Sequence, residues 1–291
     1  MTPSVKQLTD GMPSLGSYAG VIAQIEVVLN DAHSNLANLA DVIEKDPDLA
    51  ARLLRLGNSA FFGFSHRLET VSEATSLIGI QQVLDLLTVS SVIEAFEGIS
   101  TDQVNMESFW KHSLACGIGA RCLAIARQLP AAEKFFVAGL LHDLGRLVLL
   151  SKVPKIASEI FALYRSRRML LRDAEREVLG FDHAQIGEEL LRGWLYPANL
   201  VHAVAYHHNP MLAWFLQLES SVVHVADYLV HAMQMGNSGE RFVPPLSAPA
   251  WERVGLTTDV LESVMDSIDQ QIAAVQESFL RLPKKAGEPT L

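Results

Sequence analysis

Apolar residues recur at three- and four-residue spacing along nearly the whole chain, and the alternation expected of strands is scarce. The pattern predicts an all-α protein. Residues 17–30 read as a first amphipathic helix and 36–45 as a second. Asp46 then stands as an N-cap, with Pro47 at the first helical position, where its missing N–H is no loss. That third helix runs to about Leu56 and is broken by Gly57-Asn58-Ser59. The aromatic stretch Phe61-Phe62-Gly63-Phe64 follows. Thr70 to Ile78 and Ile80 to Phe96 read as two more helices, divided by Gly79. Gly98 to Asn105 looks like a linker.

Beyond the linker the helices grow more apolar. Residues 106–128 carry Ala115, Cys116, Gly117, Gly119 and Ala120, small side chains that let a neighbouring helix approach closely. Residues 133–150 form one apolar helix by pattern. Residues 156–178 form a polar one, with Arg165, Arg167, Arg168, Arg172 and Arg176 interleaved among Asp173, Glu175 and Glu177, as on a solvated face laced with ion pairs. Asp182 and Gln185 make a capping box, which puts His183 in the first turn of a helix to about Trp194. The next helix runs from Pro197 to Pro210. Its last turn holds His207 and His208, where the helix dipole favours a cation. Met211 to Met235 is a further helix, on which His224, Asp227 and His231 are spaced to share one face. Residues 236–249, rich in Gly, Ser and Pro, read as flexible. Leu261 to Leu282 is a last amphipathic helix, followed by a frayed tail at Lys284-Lys285.

One feature breaks the pattern. The apolar helix 133–150 contains an adjacent His142 and Asp143. An ionised carboxylate buried beside an imidazole is costly unless something pairs with both. A metal ion answers that need, and so does a packing histidine bonded to its own aspartate; these two residues leave both open. Adjacent helical residues point about 100° apart, so an ion between them needs donors from other helices as well.

Composition narrows the partners. A chain of 291 residues allows one or two domains. The net charge of −10 argues against non-specific binding to nucleic acid or to an anionic membrane. The helices around Gly79 resemble a helix-turn-helix in outline, but Gln81 and Gln82 are uncharged and residues 68–110 hold no basic side chain. Cys116 and Cys122 lie six residues apart on one helix, about 9 Å, beyond disulfide reach. The N-terminal residues lack a signal-peptide core, and no apolar run reaches the ~18 residues of a membrane span. The expectation is a soluble, cytoplasmic protein.

His112, His142-Asp143, His183, His207-His208 and Asp227 stand in an order that resembles the HD metal-phosphohydrolase superfamily. Within it, the chain is most similar to the HDOD family, HD-related output domains of bacterial signalling. The segments that carry the resemblance are Asp46 to Gly63, Phe109 to Ala115, Ala138 to Leu150, Leu179 to Gly187 and Tyr206 to Pro210. It implies a two-lobed helical bundle: a helical N-lobe at 1–100, an HD-like metal-binding lobe at 101–235, and a flexible segment with a C-terminal helix at 236–291. It also implies two ions of Fe, Mn, Zn or Ni. His112, His142, Asp143 and Asp227 would hold the first. His183, His207 and His208 would hold the second, with Asp143 bridging.

Such a pair can polarise a phosphoryl oxygen and generate hydroxide. In that case Asp143 would be catalytic, and Arg146 would hold a phosphate oxygen. Three departures from the HD-GYP phosphodiesterases, relatives that cleave cyclic di-GMP, point the other way. Arg146 stands where they have Lys, Ser108 where they have Glu, and Asn209-Pro210-Met211-Leu212 where they have Gly-Tyr-Pro. The expectation is a signal-transduction module acting through protein–protein contacts with a bound metal. A metal-dependent phosphohydrolase is the alternative. The implied partner is a signalling protein in trans, since no receiver, GGDEF or EAL segment is present; a homo-oligomer is left open.

Overall fold

A computed structural model describes residues 2–12, 28, 36–59, 62, 64–96, 98–99 and 101–280, and every regular element among them is a helix. The all-α expectation therefore holds. The predicted helix at 17–30 lies, but for Val28, outside the described residues, as do Phe61, Gly63 and the Lys284-Lys285 tail. The chain divides into two compact units, Met1–Ser14 with Phe96–Gln270, and Leu15–Ala95 with Gln271–Leu291. Helix α1 (Val5–Thr9) belongs to the first of these. The division differs from 1–100, 101–235 and 236–291: the N-terminal residues and most of the C-terminal third join the unit that carries the histidines.

The smaller unit holds α2 (Leu36–Glu44), α3 (Pro47–Gly57), α4 (Val71–Ile78) and α5 (Ile80–Ala95). Leu39, Ile43, Leu49, Leu53 and Leu56, at helical spacing, are fully buried and form its core. Asp46 caps α3 through the Leu49 N–H at 3.1 Å, as its position predicts. After α3, Asn58 pins the loop by accepting from the Leu68 N–H at 2.7 Å and donating to the Leu68 carbonyl at 2.9 Å. Phe62 and Phe64 stack there with ring centroids 5.8 Å apart.

The larger unit is built from α6 (Met106–Ala126), α7 (Glu133–Leu141), α8 (Leu144–Lys152), α9 (Pro154–Arg167), α10 (Leu171–Leu179), α11 (His183–Gly193), α12 (Ala198–Ala205), a 3-10 turn (Pro210–Leu212), α13 (Gln217–Ala232) and α14 (Ala248–Val254). A last helix, α15 (Asp259–Leu280), runs from this unit into the other. The small residues of α6 act as expected. A Cβ on Gly139 of α7 would lie 2.6 Å from the Cys116 carbonyl, and one on Gly117 would lie 2.8 Å from the Phe136 carbonyl, so the two backbones nearly touch.

Several helices end earlier than the apolar pattern suggests. The single helix expected over 133–150 is two, parted at His142-Asp143, where Asp143 takes φ −97° and ψ 9°. The turn redirects α8 so that its backbone meets α11: a Cβ on Gly145 would sit 2.0 Å from the His183 carbonyl. The polar helix expected over 156–178 is also two, because Arg168 adopts a left-handed conformation at φ 52°. The helix expected from Met211 begins only at Gln217, and α12 stops at Ala205, so His207 and His208 lie just past its end rather than in its last turn.

The largest correction concerns 236–249. This stretch is a docked strap: Ser238 and Glu240 are buried, and the Asn237 N–H donates to the Ser108 carbonyl at 3.0 Å. Gly236 makes the docking feasible. Its φ is +77°, and a Cβ there would collide with the His112 backbone nitrogen and the Ser108 carbonyl. Among the described residues no single helix is long and apolar enough to cross a membrane.

Candidate metal centre

Five parts of the larger unit deliver buried side chains to one place. Helix α6 brings His112, the α7–α8 turn His142 and Asp143, and α11 His183 at its first position. The turn after α12 brings His207 and His208, and α13 brings Asp227. The α11 end is fixed by the expected capping box, with Asp182 accepting from Ala184 and Gln185 and Gln185 accepting from the Asp182 N–H. All seven sequence-predicted donors are buried, none more than 8% exposed.

Asp143 lies at the middle. Its Oδ2 is 3.3 Å from His142 Nε2 and 3.9 Å from His112 Nε2. Its Oδ1 is 3.0 Å from His183 Nε2 and 4.0 Å from His207 Nε2. Asp227 Oδ1 closes the first half, 3.2 Å from His112 Nε2 and 3.5 Å from His142 Nε2. His208 Nε2 closes the second, 3.0 Å from His183 Nε2. One carboxylate thus faces two groups of imidazoles, one with each oxygen.

The rings are held from behind. His142 Nδ1–H donates to the Gly139 carbonyl at 2.6 Å, and His207 Nδ1–H to the Val204 carbonyl at 2.7 Å. A carbonyl accepts only, so these bonds put a proton on Nδ1 and leave Nε2 as the ring nitrogen available to the centre. His183 Nδ1–H donates to Glu175 Oε2 at 2.6 Å, and the same oxygen takes the His183 backbone N–H at 2.8 Å.

The donor set fits a metal. The Nε2 atoms of His112, His142 and His207, with Asp143 Oδ1 and Asp227 Oδ1, are buried without a hydrogen-bond partner. Buried polar atoms are rarely left so, and here they converge. Imidazole with carboxylate suits Fe, Mn, Zn or Ni.

Charge tells the same story. Burial works against ionisation of Asp143, but the Arg146 guanidinium, then His142 and His183, outweigh it and hold the carboxyl well below the usual range. Burial likewise opposes Asp227, and the His231 charge, then the nearby His112 and His142 imidazoles, hold it low. Burial, helped by the His231 charge, depresses His112 to about 4, and burial beside His142 depresses His207 to about 3. His208 is pushed down by burial and by His207. Two imidazoles go the other way: His142 is held well above the usual range because Asp143, then Cys116, outweigh burial, and His183 rises to about 9 because Glu175 and Asp143 outweigh burial and the Arg146 charge. Ionised carboxylates and neutral imidazoles are the forms that ligate, and protons drawn to His142 and His183 mark a place that wants positive charge.

Three residues that shape the centre escape sequence reasoning. Glu175 was grouped with a solvated face, yet it is buried and holds His183. Its signal was its place on the buried stripe Leu171, Ala174, Glu175, Leu179 of α10. Ser238 and Glu240 lay in the stretch read as flexible. Arg146 is also reassigned. Expected to face a phosphate oxygen, its Nη1 instead donates to Asp143 Oδ2 at 2.7 Å and Ser238 Oγ at 2.6 Å, while its Nε lies 3.5 Å from Glu175 Oε1. It orients the bridging carboxylate. His224 faces away as well: Nδ1–H donates to the His207 carbonyl at 2.7 Å and Nε2 accepts from the Ser247 N–H at 2.9 Å.

Carboxylates behind ligating histidines typically govern metal affinity by 10–100-fold. Glu175→Ala is therefore expected to weaken metal retention by ~10–100-fold in chelator competition. Glu175→Gln, whose carbonyl can still accept from Nδ1, should fall between. Equal retention by wild type and Glu175→Ala would remove Glu175 from this role.

The arrangement defines a helical protein with a buried His/Asp cluster. The chain belongs to the HDOD family; the HDOD domain matches residues 15–210. It is similar to an HDOD domain protein of unknown function from Geobacter sulfurreducens, at 19% identity, a TM-score of 0.75 and 96% coverage of both chains. A Shewanella amazonensis SB2B protein provisionally described as a phosphohydrolase superposes with a TM-score of 0.73 at 23% identity, over 97% of this chain and 98% of that one. A Marinobacter aquaeolei VT8 protein, provisionally described as a signal transduction protein, gives 0.71 at 20% identity, over 98% of this chain and 62% of that one. These likenesses establish the fold. An uncharacterized protein of Treponema pallidum (strain Nichols) is 26% identical over 211 residues, a match that spans 72% of this chain and 40% of that relative.

Proposed function

We propose that this chain is a bacterial signal-transduction module that acts through protein–protein contacts and holds a divalent metal centre as part of its structure. The observation that carries the reading is a cluster of seven buried candidate donors beneath a narrow cleft. The space over Asp143 and Asp227, walled by Arg146, His208, Glu240 and Pro244, holds about 10 Å³, room for about one water. A small-molecule substrate needs ~300–1,000 Å³.

His112, His142, Asp143 and Asp227 would hold one ion, and His183, His207 and His208 with Asp143 a second. Bound there, a cation supplies a bond shared among five parts of the fold and Lewis acidity toward any oxygen that reaches it. Arg146 and Glu175 keep Asp143 and His183 aimed inward. The contact half of the proposal is supported by Trp214 and Phe215, 80% and 95% exposed, which follow the paired histidines by a few residues. The partner is a signalling protein supplied in trans. Cys116 and Cys122 are both free thiols, which supports a reducing cytoplasm. A phosphohydrolase is the second reading, favoured by the bridging geometry of Asp143.

Elemental analysis of protein purified without chelator should find about one to two ions of Fe, Mn, Zn or Ni per chain. Metal-free protein with native helicity would overturn the metal half. Trp214→Ser with Phe215→Ser should leave metal content and melting temperature unchanged while abolishing partner capture by in-cell crosslinking. Unchanged capture would take these aromatics out of the contact surface.

A further inference from the structure

His231 lies one turn beyond Asp227 on α13, in the last turn of that helix. The helix dipole there favours a cation. A ring nitrogen of His231 lies within 4.8 Å of the donor atoms of His112 and Asp227. The His231 and His112 rings are 4.5 Å apart, centroid to centroid. His231 also lines the cleft over Asp143 and Asp227.

Its hydrogen bonding repeats that of two donors already described. His142 and His207 each donate from Nδ1 to a carbonyl three residues back and keep Nε2 buried without a partner. His231 donates from Nδ1 to the Asp227 carbonyl at 3.0 Å, four residues back, and its Nε2 is likewise buried and unpartnered. The same Nδ1 lies 2.9 Å from Asp227 Oδ1, so one ring holds the carboxylate in place and keeps an unpartnered Nε2. His224, one turn before Asp227 on the same helix, shows the contrast. Both of its ring nitrogens are engaged by backbone groups, so it has nothing to offer an ion.

We infer that His231 is an eighth metal donor of the centre, binding the ion held by His112 and Asp227. The inference rests on the metal reading above and extends it by one ligand. A third imidazole on that side, after His112 and His142 and beside the Asp143 and Asp227 carboxylates, makes the site richer in nitrogen. Such a set suits a borderline transition metal over Mg or Ca.

The test is a titration of the metal-stripped full chain with cobalt(II), whose visible bands report the number and kind of donors. It compares wild type with His231→Ala and His231→Asn. The Asn variant keeps a polar side chain, so loss of fold in the Ala variant does not stop the test; circular dichroism checks both. The His231 variants are expected to give weaker, shifted bands and to bind one ion at least ~10-fold less tightly. Added imidazole should restore the wild-type bands in His231→Ala. Bands identical to wild type in the folded variants would overturn the assignment, whatever the affinity, and make His231 a positioning residue for Asp227. A wild type that takes up no cobalt would overturn the metal reading itself, and this inference with it.

Discussion

Chelation should lower the melting temperature of the wild-type protein by about 10 °C, and Asp143→Ala should abolish that response. The first half follows from linkage. An ion present at 1,000 times its dissociation constant adds ~4 kcal/mol to the native state. Each kcal/mol moves the midpoint of a domain of this size by ~2–4 °C. The second half follows from geometry. Among the described residues, Asp143 is the side chain whose two oxygens face both imidazole groups, His112 with His142 on one side and His183 with His207 on the other. Removing it would take a ligand from each proposed ion. The variant should also melt lower before any chelator is added, because Arg146 is buried and loses its 2.7 Å partner. Removing one partner of a buried ion pair costs up to ~3–5 kcal/mol, and Glu175, 3.5 Å from Arg146 Nε, offsets part of that cost. The decisive readout is therefore the difference between melts with and without chelator, not the absolute midpoint. An Asp143→Ala protein that still loses stability on chelation would place the metal elsewhere.

The candidate donors were legible in the sequence through the order of motifs that resembles the HDOD family, and local signals place two of them on helices. His183 is set by the capping box at Asp182, and Asp227 by its place on an apolar helix. The close approach of α6 and α7 was legible in the small residues around Gly117. The break at His142-Asp143 was not, since apolar residues continue through it and periodicity cannot register a turn whose residues stay buried on both sides. The roles of Arg146, Glu175 and the strap were hidden for a different reason. Their partners are tertiary. Arg146 meets Ser238 across 92 residues, Tyr164 meets Glu240 across 76, and the Leu171 N–H meets Glu240 across 69. Composition reads 236–249 as flexible because Gly, Ser and Pro are common in linkers. It holds no apolar run to announce that buried polar groups will fix it. The same polar partners turned Glu175 from a surface charge into the support of His183.

The strap decides the last expectation, that the protein does not turn over cyclic di-GMP appreciably even with Mn or Fe supplied. A hydroxide between two ions is only half of such a reaction. The phosphodiester must also lie in line with it, and orientation is worth ~7–11 kcal/mol. Losing half of that slows the reaction by ~10³ or more. Here the side chain best suited to grip a phosphate oxygen, Arg146, has its Nη1 committed to Asp143 and Ser238. Glu240, an acid, lines the cleft together with Pro244. Its carboxyl is fixed by three donors, the Tyr164 hydroxyl at 3.1 Å, the Leu171 N–H at 2.6 Å and the Phe242 N–H at 2.9 Å. Opening room for a dinucleotide means breaking those bonds and freeing Arg146 at once. The measurement is product formation by chromatography, comparing wild type with Asp143→Ala. Sustained multiple turnover in the wild type, lost in Asp143→Ala, would overturn the non-catalytic reading. It would mean that the strap leaves its seat on a catalytic timescale and that the centre beneath it is a phosphodiesterase.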